Sequence, residues 1–233
     1  MAFAMLGLIG SLAVAVPAAV EPPVAGGSYG ELVTLSIGFV LGIVGSVIAG
    51  RWLEARAQPL LDLVADMSRA QNVDLEFYNI VVRNRPGRRP AWACRATIEV
   101  FREHGEPAIR EEIPARWSSQ PEPTVQFAVG NQVGNVFDLP RAIQGRRADV
   151  HSHLDERIPI AIKQENDPDC YIFTNESYLP AHSGKNPNWR LPQGRYRVRV
   201  TVYYESGQAQ KDFELRNGGP SRDDVHLRLW PTS

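Results

Sequence analysis

Four side chains that could share a metal ion alternate along residues 149–155. On an extended strand they would project from one face about 7 Å apart, and imidazole and carboxylate groups are ligands that suit zinc. The three residues between them form only a weakly apolar opposite face, which is typical of an exposed polar loop. A solvated connection is therefore the favoured interpretation, a metal site is the alternative, and no metal ligand is assigned. The four side chains are Asp149, His151, His153 and Asp155.

Several motifs that mark common enzyme classes are missing from the chain. It has no glycine-rich phosphate loop and no H-E-x-x-H or C-x-x-C run. We expect Cys94 to be a buried packing residue, and Cys170, beside Asp169, lacks the electropositive neighbours that activate a thiol. The sequence favours a non-catalytic protein without a cofactor. A metal-dependent enzyme that uses His151 and His153 remains an alternative.

Four arginines surround a turn predicted at residues 85–87, and Trp92 lies close by in the sequence. They could contact anionic lipid head groups, with each arginine contributing about 1 kcal/mol. They could instead line a solvated turn whose charge is balanced by acidic neighbours, which is the favoured interpretation. The four are Arg83, Arg85, Arg88 and Arg89.

An uncharged segment at residues 32–50 must position everything that follows it. A helix of this length, at 1.5 Å per residue, just crosses a hydrocarbon core roughly 30 Å thick. Arg51 follows the segment directly and Arg56 follows soon after. We therefore predict a transmembrane helix at residues 32–50 and assign residues 1–53 to a membrane anchor.

Small residues recur at every fourth position of this helix and so lie along one narrow stripe. Such a stripe lets two helix backbones approach closely, which is how helices associate in lipid. We predict a helix-packing face whose partner is a second copy of the chain or its own first segment. The residues of this stripe are Thr34, Gly38, Gly42, Ser46 and Gly50.

Residues 1–20 are also uncharged. They are predicted to form a second transmembrane helix, with a turn at residues 21–30, or else a cleaved signal peptide that lacks a basic n-region. Both alternatives return the chain to the cytoplasm after residue 50. Arg51 and Arg56 flank that end while only Glu31 flanks the other, and basic residues stay inside. We therefore expect a cell-membrane protein with a cytoplasmic C-terminal domain.

The rest of the chain is balanced in charge. Residues 54–233 carry all but one of the 25 basic residues and all but two of the 26 acidic ones, which gives no reason to expect nucleic acid as a partner. Pro59 should end the membrane helix. Residues 54–72 are either a connection beside the membrane or a first strand, and residues 73–233 are predicted to form one domain.

Beyond residue 73 the side-chain pattern repeats about every two residues. In the clearest strand, 195–205, Tyr196, Val198 and Val200 alternate with arginines. Glycine and proline clusters separate the strands, which is typical of an antiparallel sandwich or barrel. Residues 130–145 and 175–193 are predicted to be loops or insertions, where a sandwich usually carries its specificity. Further strands are predicted at residues 75–83, 94–100, 124–129, 157–164, 171–175, 210–215 and 225–230.

Two parts of this region resemble immunoglobulin-like modules of the CARDB or fibronectin type III kind. The first is the run V-V-R-N at residues 81–84 followed by Gly87, Ala91, Cys94 and Ala96. The second is residues 191–196, where a glycine precedes Tyr196, as in modules whose tyrosine bonds back to the backbone at a corner. The resemblance implies an all-β fold, an immunoglobulin-like antiparallel β-sandwich at residues 73–233. It also implies that Val198 stands where the disulfide partner of Cys94 would be, so both thiols should be free.

Together these observations predict a membrane-tethered, non-catalytic interaction or sensing module with a cytoplasmic β-sandwich that binds a protein partner. A homodimer through the transmembrane helix is also expected. One alternative is a ligand-gated membrane effector whose β domain is a closed barrel that binds a small molecule and drives helix oligomerisation. The other is the metal-dependent enzyme.

Overall fold

A computed structural model describes residues 29–69, 75–129, 132–182 and 184–231 of the chain. The chain divides into two compact units, Met1–Leu53 and Glu54–Ser233. The prediction of a helix or signal peptide at residues 1–20 lies outside the described residues.

The first helix, α1, spans Tyr29–Ala57. Its segment Ser36–Ala57 is long and apolar enough to cross a membrane. The helix does not stop at residue 50 as predicted, because Arg51, Glu54 and Arg56 are good helix formers that continue the hydrogen-bonding pattern. It ends two residues before Pro59, as expected from the steric clash that a proline imposes on the preceding turn.

The second unit is built from antiparallel strands in three sheets. The first large sheet has the order β1-β2-β8-β9-β10, and the second has the order β13-β12-β11-β3-β4 with β7 paired to β3. A separate small sheet consists of the β5–β6 hairpin. The strands are β1 (Leu61–Arg69), β2 (Leu75–Asn84), β3 (Ala91–Arg102), β4 (Ile113–Pro114), β5 (Thr124–Val129), β6 (Gln132–Phe137), β7 (Arg147–Val150), β8 (Glu156–Gln164), β9 (Cys170–Ile172), β10 (Arg190–Leu191), β11 (Gly194–Tyr204), β12 (Gly207–Asn217) and β13 (Val225–Leu229).

Short helical elements connect some of these strands. Helix α2 spans Leu139–Gln144, and three 3₁₀ helices occupy Asn175–Tyr178, Pro187–Trp189 and Arg222–Asp224. In the described part of the chain the two large sheets end in separate edge strands, so they form an open sandwich rather than a closed barrel.

The core lies between the inner faces of the two large sheets. Ile80 and Ile158 come from the first sheet, and Val198, Val200 and Phe213 come from the second; all five side chains are fully buried. Along β11 the predicted alternation is confirmed, because its valines face inward while its arginines keep partial exposure on the outer face. The predicted all-β class is therefore confirmed, and the architecture is compatible with an immunoglobulin-like sandwich.

Tyr196, near the start of β11, bonds back to the segment that precedes this strand. Its hydroxyl donates a hydrogen bond to the carbonyl oxygen of Pro192 at 2.9 Å, as the resemblance implied. Val198 is buried opposite Val100 of β3, and Cys94 and Cys170 are both free and buried. The expectation of free thiols is confirmed.

A fully buried lysine, Lys163, forms hydrogen bonds between the two large sheets. The ammonium group of Lys163 donates to Oδ1 of Asn217 at 3.1 Å and to the carbonyl oxygen of Gly219 at 2.6 Å. Asn217 in turn donates to the carbonyl oxygens of Pro168 and Leu191. Burial lowers the pKa of Lys163, because the ammonium group loses its hydration. These bonds tie strands of both large sheets together.

Residues 130–145, predicted to be a loop or an insertion, do not form a loop, because they contain β6 and all of α2. They agree with the insertion alternative, since β6 belongs to neither large sheet. The residues of β6 include a glycine and two polar amides, which weaken the alternating pattern. Pairing with β5 supplies the backbone hydrogen bonds that local propensity does not favour. Residues 61–69 form β1, which agrees with the first-strand alternative for residues 54–72.

Candidate functional site

Residues 149–155 do not form one strand with four aligned ligands, because β7 ends at Val150 and a turn then leads into β8. The carboxylate of Asp149 accepts a hydrogen bond from the backbone N–H of Ala93 at 2.8 Å, and Asp155 forms an ion pair with Arg83 at 3.0 Å. In the part of the chain that the structure describes, no three His, Cys, Asp or Glu side chains form a group that could hold a metal ion. The segment is arranged as a polar connection.

The two histidines of this turn pack with other rings. The ring of His151 meets Trp92 edge-on, with 5.5 Å between centroids, and lies 5.6 Å from the ring of His153. In the neighbouring arginine cluster, Arg88 donates to the carbonyl oxygens of Ala55 and Arg56. Lipid contact by this cluster stays a prediction.

The small-residue stripe lies along α1. A Cβ atom added at Gly38, Gly42 or Gly50 would meet no other atom within 4 Å, so these positions are open to a neighbouring helix. The hydroxyl of Ser46 donates to the carbonyl oxygen of Gly42 within the same helix. Thr34 also belongs to α1, and its role in helix packing stays a prediction with the others.

The hairpin of β5 and β6 exposes one apolar face. Val125 pairs directly with Val136, and Phe127 pairs with Gly134, so all four lie on the same face of the hairpin. Val125 is 37% exposed, Phe127 is 45% exposed and Val136 is 51% exposed. The Phe127 ring lies over Gly134, where an added Cβ atom would sit 2.7 Å from the ring. We call Val125, Phe127 and Val136 the hairpin patch.

The opposite face of the hairpin is also exposed and is mixed in character, because it carries Val133, which is 71% exposed, beside polar residues. Thr124 and Asn135, which lie on that face, line an open groove beside β2 and β9. Both faces of the hairpin therefore keep exposed side chains, and the described part of the chain covers the hairpin patch only in part.

The base of the hairpin is held in place by α2. Asp138 caps this helix by accepting from the backbone N–H of Arg141 at 3.1 Å, and the Arg141 guanidinium donates to the carbonyl oxygen of Thr124 at 3.1 Å. Asn175, which is buried, donates to the carbonyl oxygen of Ala142 at 2.8 Å. The hairpin therefore projects from a fixed platform.

A groove with aromatic walls lies behind the hairpin. It consists of two adjoining hollows of about 340 and 430 Å³ that share Phe77, Phe173, Tyr178 and Glu122. The Phe77 and Phe173 rings meet edge-on at 5.2 Å between centroids, and Phe173 and Tyr178 lie 5.4 Å apart. We call this feature the aromatic groove.

Arg116 lies at the inner end of the aromatic groove and is only 5% exposed. Its guanidinium donates to the carbonyl oxygens of Gln120 at 2.8 Å and Pro121 at 3.2 Å, and to Oδ1 of Asn175 at 3.1 Å. It also lies over the Tyr178 ring, 5.2 Å from its centroid. These contacts join the loop after β4 to the 3₁₀ helix that carries Tyr178.

The electrostatic surroundings raise the pKa of Tyr178 to about 12. Burial is the main cause, because the phenolate would lose its hydration, and the carboxylate of Glu122 adds to the effect while Arg116 opposes it. The Tyr178 hydroxyl donates to Glu122 at 3.4 Å. Tyr178 therefore stays neutral and presents a ring and a hydroxyl to the groove.

The two cysteine thiols have raised pKa values and are therefore poorly reactive. Burial raises the pKa of Cys94 to about 11 and that of Cys170 to about 12, because a thiolate is poorly stabilised in an apolar interior. Lys163 lies close enough to oppose this rise at Cys170, but it does not activate the thiol, as expected from the sequence. Burial nevertheless has the largest effect on the pKa of Cys170.

Sequence reasoning missed the hairpin patch and the aromatic groove. The sequence predicts strand β5 at residues 124–129, where it is found. It does not predict β6, so it does not show which face of a sheet the valines of β5 occupy. The groove combines β2, β9, a 3₁₀ helix and two loops, which no local motif brings together. Only Arg116, within an apolar stretch at residues 113–117, carried a local signal, because a charge among apolar residues often has a specific role.

The fold and these two features define a class of protein: an open antiparallel β-sandwich preceded by an apolar helix that is long enough to cross a membrane. Neither protein-family models nor curated proteins match the chain. Arguments about function therefore rest on the hairpin patch and the aromatic groove.

Proposed function

We propose that this chain is a membrane-tethered, non-catalytic interaction module whose β-sandwich binds a protein partner. The observation that carries the proposal is the exposed hairpin patch. Complete burial of a Val or Phe side chain contributes about 1.5–3 kcal/mol, so covering three half-exposed ones contributes about 3 kcal/mol. The tether at α1 adds to this by raising the local concentration at the membrane.

A protein suits the patch better than a lipid surface does. Residues 124–137 contain no Lys, Arg, Trp or Tyr, which are the residues that anchor a surface segment at a membrane interface. In addition, β5 and β6 pair only with each other in the described part of the chain. Their outer edges offer unpaired backbone groups that a partner strand can satisfy and lipid chains cannot.

The test is site-specific photocrosslinking of the full chain in its native membrane. A photoreactive amino acid replaces Phe127, and in the control it replaces Leu229 of β13, which is similarly exposed at 51%. We expect a discrete adduct with another polypeptide from position 127 only. Val136→Asp should remove this adduct, because a carboxylate in the contact would be desolvated.

Three results would contradict a separate protein partner. Adducts with lipid alone would assign the patch to the bilayer, and adducts with the same chain alone would make it a dimer interface. Equal labelling from positions 127 and 229 would mean that the contacts are unspecific. The urea unfolding midpoint of the Val136→Asp variant, compared with the parent, checks that the fold is retained.

We also propose that the β domain is cytoplasmic. Arg51 and Arg56 lie at the C-terminal end of α1 and Glu31 lies near its beginning, which is the charge asymmetry expected for that orientation. A reporter that fluoresces only in the cytoplasm, fused after Ser233, should be bright. A dark fusion that is expressed and inserted would place the domain on the other side of the membrane.

Two finer proposals concern kinship and assembly. The Tyr196 to Pro192 hydrogen bond supports a relationship with CARDB or fibronectin type III modules.

The open positions at Gly38 and Gly42 support a homodimer through α1. Gly42→Leu should weaken crosslinking between two copies in membranes because a larger side chain keeps the backbones apart, whereas Val40→Leu, two residues away on a different face of the helix, should not.

A further inference from the structure

The aromatic groove contains a buried positive charge, Arg116, that pairs with no carboxylate among the residues the structure describes. The three hydrogen bonds that its guanidinium donates all end on neutral oxygen atoms. A buried guanidinium usually pairs with an anion, because it has lost its hydration. The contrast with Lys163 is informative: that lysine is enclosed by the sandwich, whereas Arg116 borders an open groove.

The walls of the groove suit a planar group. The rings of Phe77, Phe173 and Tyr178 follow one another at 5.2 and 5.4 Å between centroids. Aromatic groups pack well against such rings in edge-on or offset arrangements. The hollow next to Arg116, at about 340 Å³, is within the size range of small-molecule pockets.

The charges of this hollow favour an anion over a cation. Arg116 and Arg157 both line it, and Glu122 is its one acidic lining residue in the described part of the chain. Arg157 pairs with Asp66 at 3.3 Å, but both side chains are partly exposed, so that pair holds it weakly. A cation would also have to compete with Arg116 for the face of Tyr178. Among the residues that line the hollow, two arginines therefore face one glutamate.

We propose that the aromatic groove binds a small molecule in which one carboxylate is carried by a planar aromatic group. The carboxylate pairs with the Arg116 and Arg157 end of the hollow, because guanidinium groups match carboxylates in charge and geometry. The aromatic group lies against Phe77, Phe173 and Tyr178. This site goes beyond the proposed protein partner, whose contact is the outer face of the hairpin, and neither needs the other.

The test measures ligand binding by calorimetry on the full-length chain in lipid nanodiscs. The probe is naphthoate, and two matched compounds separate its features: naphthamide has the same rings without the charge, and cyclohexanecarboxylate has the charge without a planar ring. We expect naphthoate to bind about tenfold or more tightly than either compound, since each feature makes its own contact. Equal affinity for naphthoate and naphthamide would overturn the proposal.

Variants then locate the site. Arg116→Met should weaken naphthoate binding by about tenfold or more, and Tyr178→Ala should also weaken it, while Tyr178→Phe keeps the ring and should bind nearly as well as the parent. Because Arg116 also joins two loops, Arg157→Gln is the second variant: it is partly exposed and should weaken binding about threefold without unfolding. Arg83→Gln is the matched control, because Arg83 is similarly exposed and also pairs with an aspartate, but it does not line the groove.

The outcomes are distinct. Weaker naphthoate binding in Arg157→Gln with unchanged binding in Arg83→Gln supports the site. Equal binding in all of these folded variants would mean that naphthoate binds elsewhere, and the proposal would be wrong. Since no partner protein is present in this experiment, its result does not depend on the crosslinking at Phe127.

Discussion

The interior of the sandwich and the hairpin patch consist of similar side chains in opposite surroundings. Phe213 and Phe127 both lie on β strands next to valines, yet Phe213 is fully buried and Phe127 is 45% exposed. The interior is covered by a second sheet, whereas β5 and β6 form a sheet of their own. A valine or phenylalanine on a strand therefore indicates an apolar face, but it does not indicate whether this chain or another molecule covers that face.

The largest expected effect comes from truncating the buried member of this pair. Phe213→Ala should lower the free energy of unfolding by about 3–5 kcal/mol, because it removes buried carbon atoms and leaves a cavity. Phe127→Ala should lower it by about 1 kcal/mol or less, because half of its ring already meets solvent. Urea denaturation of the full chain in detergent, followed by near-UV circular dichroism, measures both.

The two variants are each other's control. Equal destabilisation would break the comparison and mean that the hairpin is part of the folded core. Destabilisation of Phe213→Ala by less than about 1 kcal/mol would contradict the assignment of the core.

A second difference between the regions is their response to alkali. The folded chain keeps the thiol proton of Cys94 to about pH 11, whereas a thiol in the unfolded chain releases it near pH 9.0. The stability that depends on this proton is fully present below pH 9 and is lost as the pH rises to 11, because the unfolded thiol ionises in this range while the buried thiol keeps its proton. The loss at pH 10 should be about 1 kcal/mol.

The Cys94→Ala variant isolates this effect. Its unfolding midpoint should fall less steeply between pH 8 and pH 10 than that of the parent. Residues 124–137 contain no titratable side chain, so the Phe127→Ala variant should keep the slope of the parent. Parallel slopes for the parent and Cys94→Ala would count against a buried, protonated thiol.

A third test removes one polar contact at the edge of the core. Tyr196→Phe deletes the hydroxyl that donates to Pro192 and should cost about 1 kcal/mol of stability. Tyr203→Phe is the control, because Tyr203 lies on the same strand and is 42% exposed. If both variants lose the same amount in urea denaturation, the corner hydrogen bond contributes nothing specific.

The smallest effect is expected inside the hairpin. Gly134→Ala places a methyl group against the Phe127 ring, which must rotate away, so we expect a change in unfolding free energy within about 0.5 kcal/mol. The displaced ring should nevertheless alter the photocrosslinking pattern of neighbouring Val125. A large loss of stability would instead mean that the ring holds the hairpin together.

The positions of most strands followed from the sequence. Alternation along residues 195–205 predicted β11, and similar patterns predicted β2, β3, β5 and β8 within a few residues. These predictions succeed because a half-buried strand imposes a period of two on its own residues. The corner at Tyr196 was also predictable, since the tyrosine and its acceptor are four residues apart.

The candidate sites were largely beyond sequence reasoning. Asp149 and Asp155 looked like partners of His151 and His153, but their carboxylates bind Ala93 and Arg83, which are distant in the sequence. The aromatic groove likewise joins Phe77, Arg116 and Tyr178 from three separate segments. Such constellations depend on how sheets and loops pack, which no local period encodes.

By itself, the sequence determined an apolar helix near the N-terminus, an all-β body and two thiols without a disulfide, because length, period and residue type act locally. Only the tertiary structure decided that β6 pairs with β5, that the hairpin patch stays partly exposed, and that the buried Arg116 pairs with no carboxylate of the described residues. The physical reason is that burial of a side chain depends on what the rest of the chain places over it.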